Sequence, residues 1–179
     1  AHYKLALTYG NQKKYLQAII SFQEALKISP YDLEIKYQLG VANKELKMFK
    51  SASTYFEDYI SQNKDDHIAF FLLGQCYLQT NDYIAALIAF NHANQLSPKD
   101  DKILYNLGIC NFKLNEYEDS ARKFREALKI NSEDAEIYYA LGQAYLKLNK
   151  KKKVEGILDI LYMLKPDYYK SLVILSNKN

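Results

Sequence analysis

The dominant feature of this sequence is a spacing of 34 residues that recurs along the chain without an insertion. A Leu-Gly pair marks this spacing most clearly, at Leu39-Gly40, Leu73-Gly74, Leu107-Gly108 and Leu141-Gly142. A second column at the same spacing reads Phe22, Phe56, Phe90, Phe124 and Leu158. A third column, of small or apolar residues, reads Ala18, Ala52, Ala86, Ser120 and Val154. Self-similarity at one fixed period is the signature of a repeat architecture, so the chain is predicted to be an array of one small structural repeat.

Each repeat is predicted to form two helices joined by a short polar turn. Between Phe70 and Tyr77 the apolar residues fall at i, i+3, i+4 and i+7, which is one face of a helix. A second apolar stripe begins at Ala86, and residues 79–82 between the two stripes are polar. The turn position carries Asn81, Asn115 and Asn149. Asn tolerates the left-handed conformation in which helices end, so these residues are predicted to end the first helix of their repeats.

The glycine column indicates a close approach between the two helices of a repeat. Glycine has no Cβ, so the aromatic residue of the second helix can lie against its backbone. The acidic pairs Asp65-Asp66 and Asp100-Asp101 fall near the starts of first helices. Carboxylates are favourable there because the N-terminal end of a helix carries a partial positive charge.

This pattern resembles the tetratricopeptide-repeat family over residues 1 to 168. The resemblance implies an all-α fold, a right-handed superhelical solenoid of antiparallel helix pairs, forming one domain over 1–179. The predicted repeats are 1–32, 33–66, 67–100, 101–134 and 135–168, and a terminal helix is predicted at 169–179. The fifth repeat departs from the pattern, since Lys151 replaces the turn aromatic and Leu158 the phenylalanine. We expect its second helix to pack less typically.

Both ends of the chain carry further expectations. The chain starts with Ala1, inside the repeat pattern and without a preceding helix cap, so we expect a fragment that lacks its true N-terminus. The run Leu172-Val173-Ile174-Leu175 is apolar on all sides. Part of it is expected to stay exposed, which makes self-association through the ends possible.

Composition and charge exclude several classes of protein. The 24 basic and 21 acidic residues give a net charge of only +3, so nucleic acid is an unlikely partner. No apolar run approaches the roughly 18 residues that a membrane-spanning helix needs. Cys76 and Cys110 lie one repeat apart and are predicted to be reduced thiols that act as small buried side chains. Unpaired cysteines favour a reducing compartment such as the cytoplasm.

The residues that carry catalysis or bind metals do not form a recognisable set. His2, His67 and His92 occupy different repeat positions and lack partners at ligand spacing, so no metal site is predicted. Neither a glycine-rich phosphate loop nor paired catalytic carboxylates appear in the sequence. The chain is therefore predicted not to be an enzyme and to need no cofactor.

The resemblance places the usual peptide site in a groove lined by the first helices. The residues predicted to bind a peptide or protein are Tyr37, Ile68, Phe71, Gln75, Leu78, Lys102, Tyr105, Asn106, Ile109, Phe112, Tyr139 and Gln143. One column of this face is aromatic, namely Tyr3, Tyr37, Phe71, Tyr105 and Tyr139. Two interpretations of this column stay open, packing against neighbouring helices and contact with a ligand. The amides can pair with an extended peptide backbone.

The chemistry of the groove predicts its occupant. Some family members hold a peptide carboxylate with Lys, Asn and Arg, but here Tyr3, Tyr37, Phe71 and Tyr105 stand at the first Lys position. Leu7, Val41 and Ile109 replace the first Asn. An apolar or amphipathic segment is therefore the predicted partner.

The predicted function is a non-catalytic scaffold for protein–protein interaction within a larger assembly. Two alternatives stay open, a regulatory or targeting module of a larger enzyme or signalling protein and, less favoured, an RNA-binding helical repeat. The run Lys150–Lys153 could contact an acidic partner, RNA or a membrane surface. A solvated turn is the favoured interpretation of this run.

Overall fold

A computed structural model describes residues 1–178, and within them the chain is entirely helical. The helices are α1 His2–Asn11, α2 Tyr15–Ile28, α3 Leu33–Glu45, α4 Phe49–Ile60, α5 His67–Gln79, α6 Tyr83–Leu96, α7 Asp101–Lys113, α8 Tyr117–Leu128, α9 Ala135–Lys147, α10 Lys151–Leu164 and α11 Pro166–Ser176. The predicted all-α class is confirmed. The chain divides into two compact units, one of residues 1–96 with α1–α6 and one that starts at Ser97 and contains α7–α11. The prediction of one continuous domain stays a prediction.

Four first helices begin at an aspartate that caps them. The side chains of Asp32, Asp66, Asp100 and Asp134 accept hydrogen bonds from backbone N–H groups in the first turns of α3, α5, α7 and α9. Asp100 Oδ1, for example, lies 2.9 Å from the nitrogen of Lys102. Such caps satisfy N–H groups that have no partner inside the helix. The acidic pairs predict Asp66 and Asp100 at these starts, and Asp32 and Asp134 extend the same column.

The turns between paired helices share one backbone conformation. Asn81, Asn115 and Asn149 have φ of 62°, 62° and 58°, which confirms the left-handed conformation predicted for them. Lys13 and Lys47 take the same conformation in the first two repeats. The second helix starts two residues later in every repeat, at Tyr15, Phe49, Tyr83, Tyr117 and Lys151.

The glycine column brings the two helices of a repeat into close contact, as predicted. In the first compact unit, a Cβ built on Gly40 would lie 2.8 Å from the Phe56 ring. On Gly74 it would lie 2.7 Å from the ring of Phe90. These phenylalanines are fully buried. The ring thus fills the space that a side chain at the glycine position would need.

In the fifth repeat, a residue of the following helix, α11, packs against the repeat glycine. Gly142 faces Leu172 of α11, whose Cδ2 would lie 2.5 Å from an added Cβ, and Leu158 stays half-buried. Helix α11 packs against both α9 and α10. It begins at Pro166, three residues before the predicted start at 169, because proline is well suited to the first position of a helix. The predicted exposure of the terminal apolar run is found at Ile174, which is 56% exposed, whereas Leu172 is fully buried.

Candidate functional site

In the first compact unit, the predicted aromatic residues pack on one side and stay accessible on the other. The Tyr37 ring of α3 lies 5.8 Å from the Phe56 ring, edge to face, and 5.0 Å from the ring of Tyr59. The Phe71 ring of α5 lies 5.7 Å from the ring of Phe90. Both Tyr37 and Phe71 are half-buried. Each ring therefore contributes to the core and keeps part of its surface free.

Helix α5 presents an uncharged surface beside these rings. Ile68 is 50% exposed, and Gln75 and Leu78 are half-buried. The helix contains no Asp, Glu, Lys or Arg. An apolar segment could lie against this face without removing a charge from water.

In the second compact unit, Tyr105 links two first helices. Its ring on α7 lies 5.7 Å from that of Phe124, and its hydroxyl donates a hydrogen bond of 2.8 Å to Glu136 Oε1 on α9. Burial and the adjacent Glu136 carboxylate raise the pKa of Tyr105, so the hydroxyl keeps its proton at neutral pH. Sequence reasoning missed Glu136, because it belongs to no column that pairs it with Tyr105.

The remaining predicted residues of α7 surround Tyr105. Lys102 is exposed, Asn106 and Ile109 are half-buried, and Asn106 Nδ2 donates to the Lys102 carbonyl oxygen at 2.8 Å. Phe112 is also half-buried, and its ring lies edge-on to that of Tyr117 at 5.3 Å. The face combines apolar surface with one amide and one cation.

Tyr139 of α9 has a partner that the repeat pattern does not predict. Its ring is stacked on that of Tyr168 of α11, with centroids 5.0 Å apart and an interplanar angle of 15°. Gln143, one turn further along α9, is half-buried. Helix α11 therefore covers one face of Tyr139, and sequence reasoning missed Tyr168 because the equivalent residue of every other repeat is an aspartate.

The aromatic column thus has a structural role in every repeat. Tyr3, Tyr37, Phe71 and Tyr105 each lie 5.7 to 5.9 Å from the phenylalanine of the second helix. Nevertheless, all twelve residues predicted to bind are half-buried or exposed. In the first compact unit these residues are Tyr37, Ile68, Phe71, Gln75 and Leu78, and in the second they are Lys102, Tyr105, Asn106, Ile109, Phe112, Tyr139 and Gln143.

The thiols lie away from these faces. Cys76 and Cys110 are free and fully buried, as predicted. Burial raises the pKa of Cys76 to about 11 and that of Cys110 to about 12. Both thiols therefore stay protonated at neutral pH, which disfavours thiolate chemistry.

Residues 1–178 hold no group of three or more His, Cys, Asp and Glu side chains placed to bind a metal ion. None of their helices has the length and apolar character needed to cross a bilayer.

Three sequence profiles match the chain. Tetratricopeptide repeat matches residues 1–32, TPR repeat matches residues 111–149, and anaphase-promoting complex, cyclosome, subunit 3 matches residues 45–127. The chain belongs to the tetratricopeptide-repeat family. The family predicted from the 34-residue columns is thereby confirmed, and membership supports a general role as a protein-interaction scaffold.

Curated relatives match about half of the chain. BBSome complex member BBS4 from Bos taurus is 30% identical over 91 residues, which are 51% of this chain and 17% of the relative. Superkiller protein 3 from Schizosaccharomyces pombe is 29% identical over 108 residues, which are 56% of this chain and 8% of that protein. The chain thus spans a small part of the length of these relatives.

Solved structures share the fold over nearly the whole chain. YrrB, described as a TPR protein with an unusual peptide-binding site, superposes with a TM-score of 0.88 at 18% identity, covering 99% of this chain and 91% of YrrB. A MamA structure superposes with a TM-score of 0.87 at 16% identity, covering 94% of this chain and 92% of MamA. At these identities the likeness concerns the fold.

Proposed function

We propose that this chain is a non-catalytic scaffold that binds an apolar or amphipathic protein segment along the exposed faces of its first helices, within a larger assembly. The observation that carries this proposal is the accessibility of all twelve predicted side chains. A helix column that only packs would bury its members, whereas these residues keep accessible surface. Exposed apolar surface with a polar rim is typical of an interaction site.

The face of the first compact unit is largely apolar. Asp82 is the only Asp, Glu, Lys or Arg between His67 and Leu96. On α5, Ile68 and Leu78 flank the ring of Phe71 within this uncharged stretch. An amphipathic helix or an extended apolar segment would bury this surface, and burial of apolar area is the main favourable contribution to association.

Each of the two faces also carries polar side chains, an amide in the first unit and two amides and a lysine in the second. Gln75 lies on α5, and Asn106 and Gln143 lie on α7 and α9. Each amide can donate to a peptide carbonyl and accept from a peptide N–H, which would fix the direction of the segment. Exposed Lys102 favours a segment with a carboxylate at its edge.

The names of the matched proteins support a role in an assembly. One relative is a member of the BBSome complex, and one profile describes a subunit of the anaphase-promoting complex. The fold neighbour YrrB is described as having a peptide-binding site. These descriptions favour a scaffold over a catalytic domain.

The test begins with peptides selected from a random library on the 179-residue chain, whose affinities are then measured by fluorescence polarisation. The test variant combines Ile68→Ser, Gln75→Ala and Gln143→Ala. The control variant makes the same kinds of change at exposed positions of second helices and is Ile84→Ser, Gln95→Ala and Gln17→Ala. The test variant is expected to bind about tenfold more weakly, since a few contact residues dominate most interfaces.

The control variant is expected to bind within about twofold of the unchanged chain, because its substitutions lie outside the proposed faces. Circular dichroism establishes that both variants keep their helix content. Equal affinities of the test and control variants would place binding elsewhere and contradict the proposal.

A further inference from the structure

The turn between α9 and α10 joins a basic cluster to a small depression. The cluster, here called the lysine turn, is Lys150–Lys153. Five lysines and one acid, Glu155, lie between residues 145 and 155. The excess positive charge is therefore concentrated within about three helical turns of one repeat.

The depression lies beside the lysine turn and has a volume of about 180 Å³. Its lining comprises the apolar or aromatic residues Tyr145, Leu146, Val154 and Leu158 and the polar residues Asn149, Lys150, Lys151, Glu155 and Ser176. Leu158 is half-buried, so part of its side chain is open to this space. A space of this size holds about one apolar side chain, since cavities of roughly 150 Å³ accept benzene.

The stability of the fold does not explain these lysines. Positive charge is unfavourable at the start of a helix, yet α10 has no acidic residue in its first turn and no side-chain cap. In the preceding repeat, the first turn of α8 carries Glu118 and Asp119. Within the described residues, no ion pair involves Lys150, Lys151 or Lys152.

Among the described residues, Lys153 is the lysine of the turn whose side chain has a partner within the fold. The Nζ atom of Lys153 lies 5.2 Å from the centre of the Tyr145 ring, in a cation–π arrangement. Lys150, Lys151 and Lys152 are exposed. Three cations with no opposite charge in the fold are thus available to an external carboxylate.

We propose that the lysine turn and the adjacent depression bind an acidic peptide segment that carries one apolar anchor residue. The anchor enters the depression against Leu146 and Leu158, and flanking carboxylates pair with Lys150, Lys151 and Lys152. Charge complementarity selects the acidic partner, and the volume selects a single leucine- or phenylalanine-sized side chain. This site is additional to the faces of the first helices and does not depend on them.

The same geometry disfavours a nucleic acid as the occupant. Sequence-tolerant binding of single strands needs aromatic surfaces on which bases stack. Tyr145 is the one aromatic residue in the lining, and its ring is buried beneath Lys153. A protein segment uses the apolar depression, whereas a phosphate backbone would leave it empty.

The charge contribution can be tested with a labelled synthetic peptide in which one leucine is flanked by Asp and Glu residues. The test variant is Lys150→Gln, Lys151→Gln and Lys152→Gln. The control variant, Lys50→Gln, Lys64→Gln and Lys99→Gln, removes three exposed lysines elsewhere and so matches the change in net charge. Fluorescence polarisation at low salt is expected to show about tenfold weaker binding for the test variant only. Equal affinities of the two variants would overturn the proposal.

The depression is tested by a second peptide in which alanine replaces the leucine. The unchanged chain is expected to bind the leucine peptide about tenfold more tightly, because leucine buries more apolar area in the depression than alanine does. In the variant Leu158→Gln this preference is expected to disappear while charge-dependent binding remains. Equal affinities of the leucine and alanine peptides for the unchanged chain would overturn the anchor site.

Two further ligands decide between classes of partner. A single-stranded RNA and vesicles containing phosphatidylserine are offered to the same variants. If either binds through the lysine turn while the acidic peptide does not bind, the proposal is overturned. The Ile68→Ser, Gln75→Ala and Gln143→Ala variant is expected to bind the acidic peptide normally, so failure of the first-helix site and failure of this one are distinguishable.

Discussion

The α7–α8 and α9–α10 helix pairs lie in the same compact unit and have nearly the same sequence pattern. They differ in the side chains that pack against the repeat glycine. In the first pair, the backbone at Gly108 lies against the ring of Phe124 from the partner helix, 2.5 Å from where a Cβ would lie. In the second pair, the nearest side chain to a Cβ at the equivalent Gly142 is Leu172 of α11, and Ile157 of α10 follows at 3.2 Å. Leu158 occupies the position equivalent to Phe124 in this repeat and is only half-buried.

The aromatic column shows the same exchange of partners. Tyr105 packs on Phe124 of its own repeat, whereas Tyr139 stacks on Tyr168 of α11. Helix α11 thus adds apolar and aromatic contacts to those that Val154, Ile157 and Leu161 of α10 make in the core. A repeat can therefore lose its packing residue when the following helix fills the space. Protein interiors are close-packed, but the side chain that fills a given space can come from any neighbouring helix.

The largest expected effect comes from removing the packing residue of each pair. Phe124→Ala is expected to cost about 3–5 kcal/mol, because it leaves a cavity at a fully buried site. Leu158→Ala, at the equivalent position, is expected to cost roughly 1 kcal/mol, because Leu158 is half-buried. Urea unfolding followed by circular dichroism measures both free energies. Similar costs would show that Leu158 contributes as much packing to the α9–α10 pair as Phe124 does to the α7–α8 pair.

Removing the substitute contact is the next largest change. Leu172→Ala is expected to cost about 2–4 kcal/mol, because Leu172 is fully buried. Ile174→Ala on the same helix is the control, with an expected cost below about 0.5 kcal/mol since Ile174 is 56% exposed. Hydrogen exchange should show faster opening of α9 in Leu172→Ala alone. Unchanged protection of α9 would contradict the role assigned to α11.

Alanine in place of Gly108 or Gly142 tests how rigid the side chain packed against each glycine is. Gly108→Ala is expected to cost about 1–2 kcal/mol, because the new methyl meets a rigid ring that is fixed in the core. Gly142→Ala is expected to change stability by less than about 0.5 kcal/mol, since the end of the Leu172 side chain can move and alanine favours the helix. Melting temperatures rank the two variants. The reverse order would contradict the explanation based on side-chain flexibility.

Much of the fold follows from repeated columns in the sequence. The spacing predicts the turn residues Asn81 and Asn115 where the structure has them. It also predicts the helix starts at Tyr83 and Tyr117. These features depend on local backbone preference and on one pair of neighbouring helices, so every repeat provides an independent copy of the signal. The contact of Leu172 with Gly142 occurs once, and no column could have indicated it.

The candidate site was predictable to a similar extent. Helical periodicity placed Phe71 and Tyr105 on a face that stays partly accessible. It did not indicate that Tyr105 donates a hydrogen bond to Glu136 or that Tyr168 covers one face of Tyr139. Both contacts join side chains from different helices, and such pairs depend on the tertiary arrangement rather than on the period.

The turn has the same backbone conformation in the two helix pairs. Asn115 and Asn149 have φ of 62° and 58°. Asn115→Ala and Asn149→Ala are therefore each expected to cost about 1 kcal/mol, because alanine is disfavoured in the left-handed conformation. Matched unfolding measurements check whether the costs agree. A much smaller cost at Asn149 would mean that the difference between the pairs extends to the turn.

The smallest expected effect concerns charge at the start of the second helix. Glu118 of α8 and Lys152 of α10 occupy the same repeat position. Lys152→Glu is expected to stabilise the chain by about 0.3–1 kcal/mol at low salt, and Glu118→Lys to destabilise it by a similar amount. Urea unfolding at low and high salt measures both, and the difference should shrink as salt screens the charges.

Measuring both the stability of Lys152→Glu and its affinity for the acidic peptide separates the two effects of this lysine. If Lys152→Glu stabilises the chain but weakens binding of the acidic peptide, the lysine is kept at a cost to the fold, as expected for a residue that contacts a partner. If it leaves stability unchanged, the α10 start tolerates positive charge. The contrast with α8 would then provide no reason to expect a partner at the lysine turn.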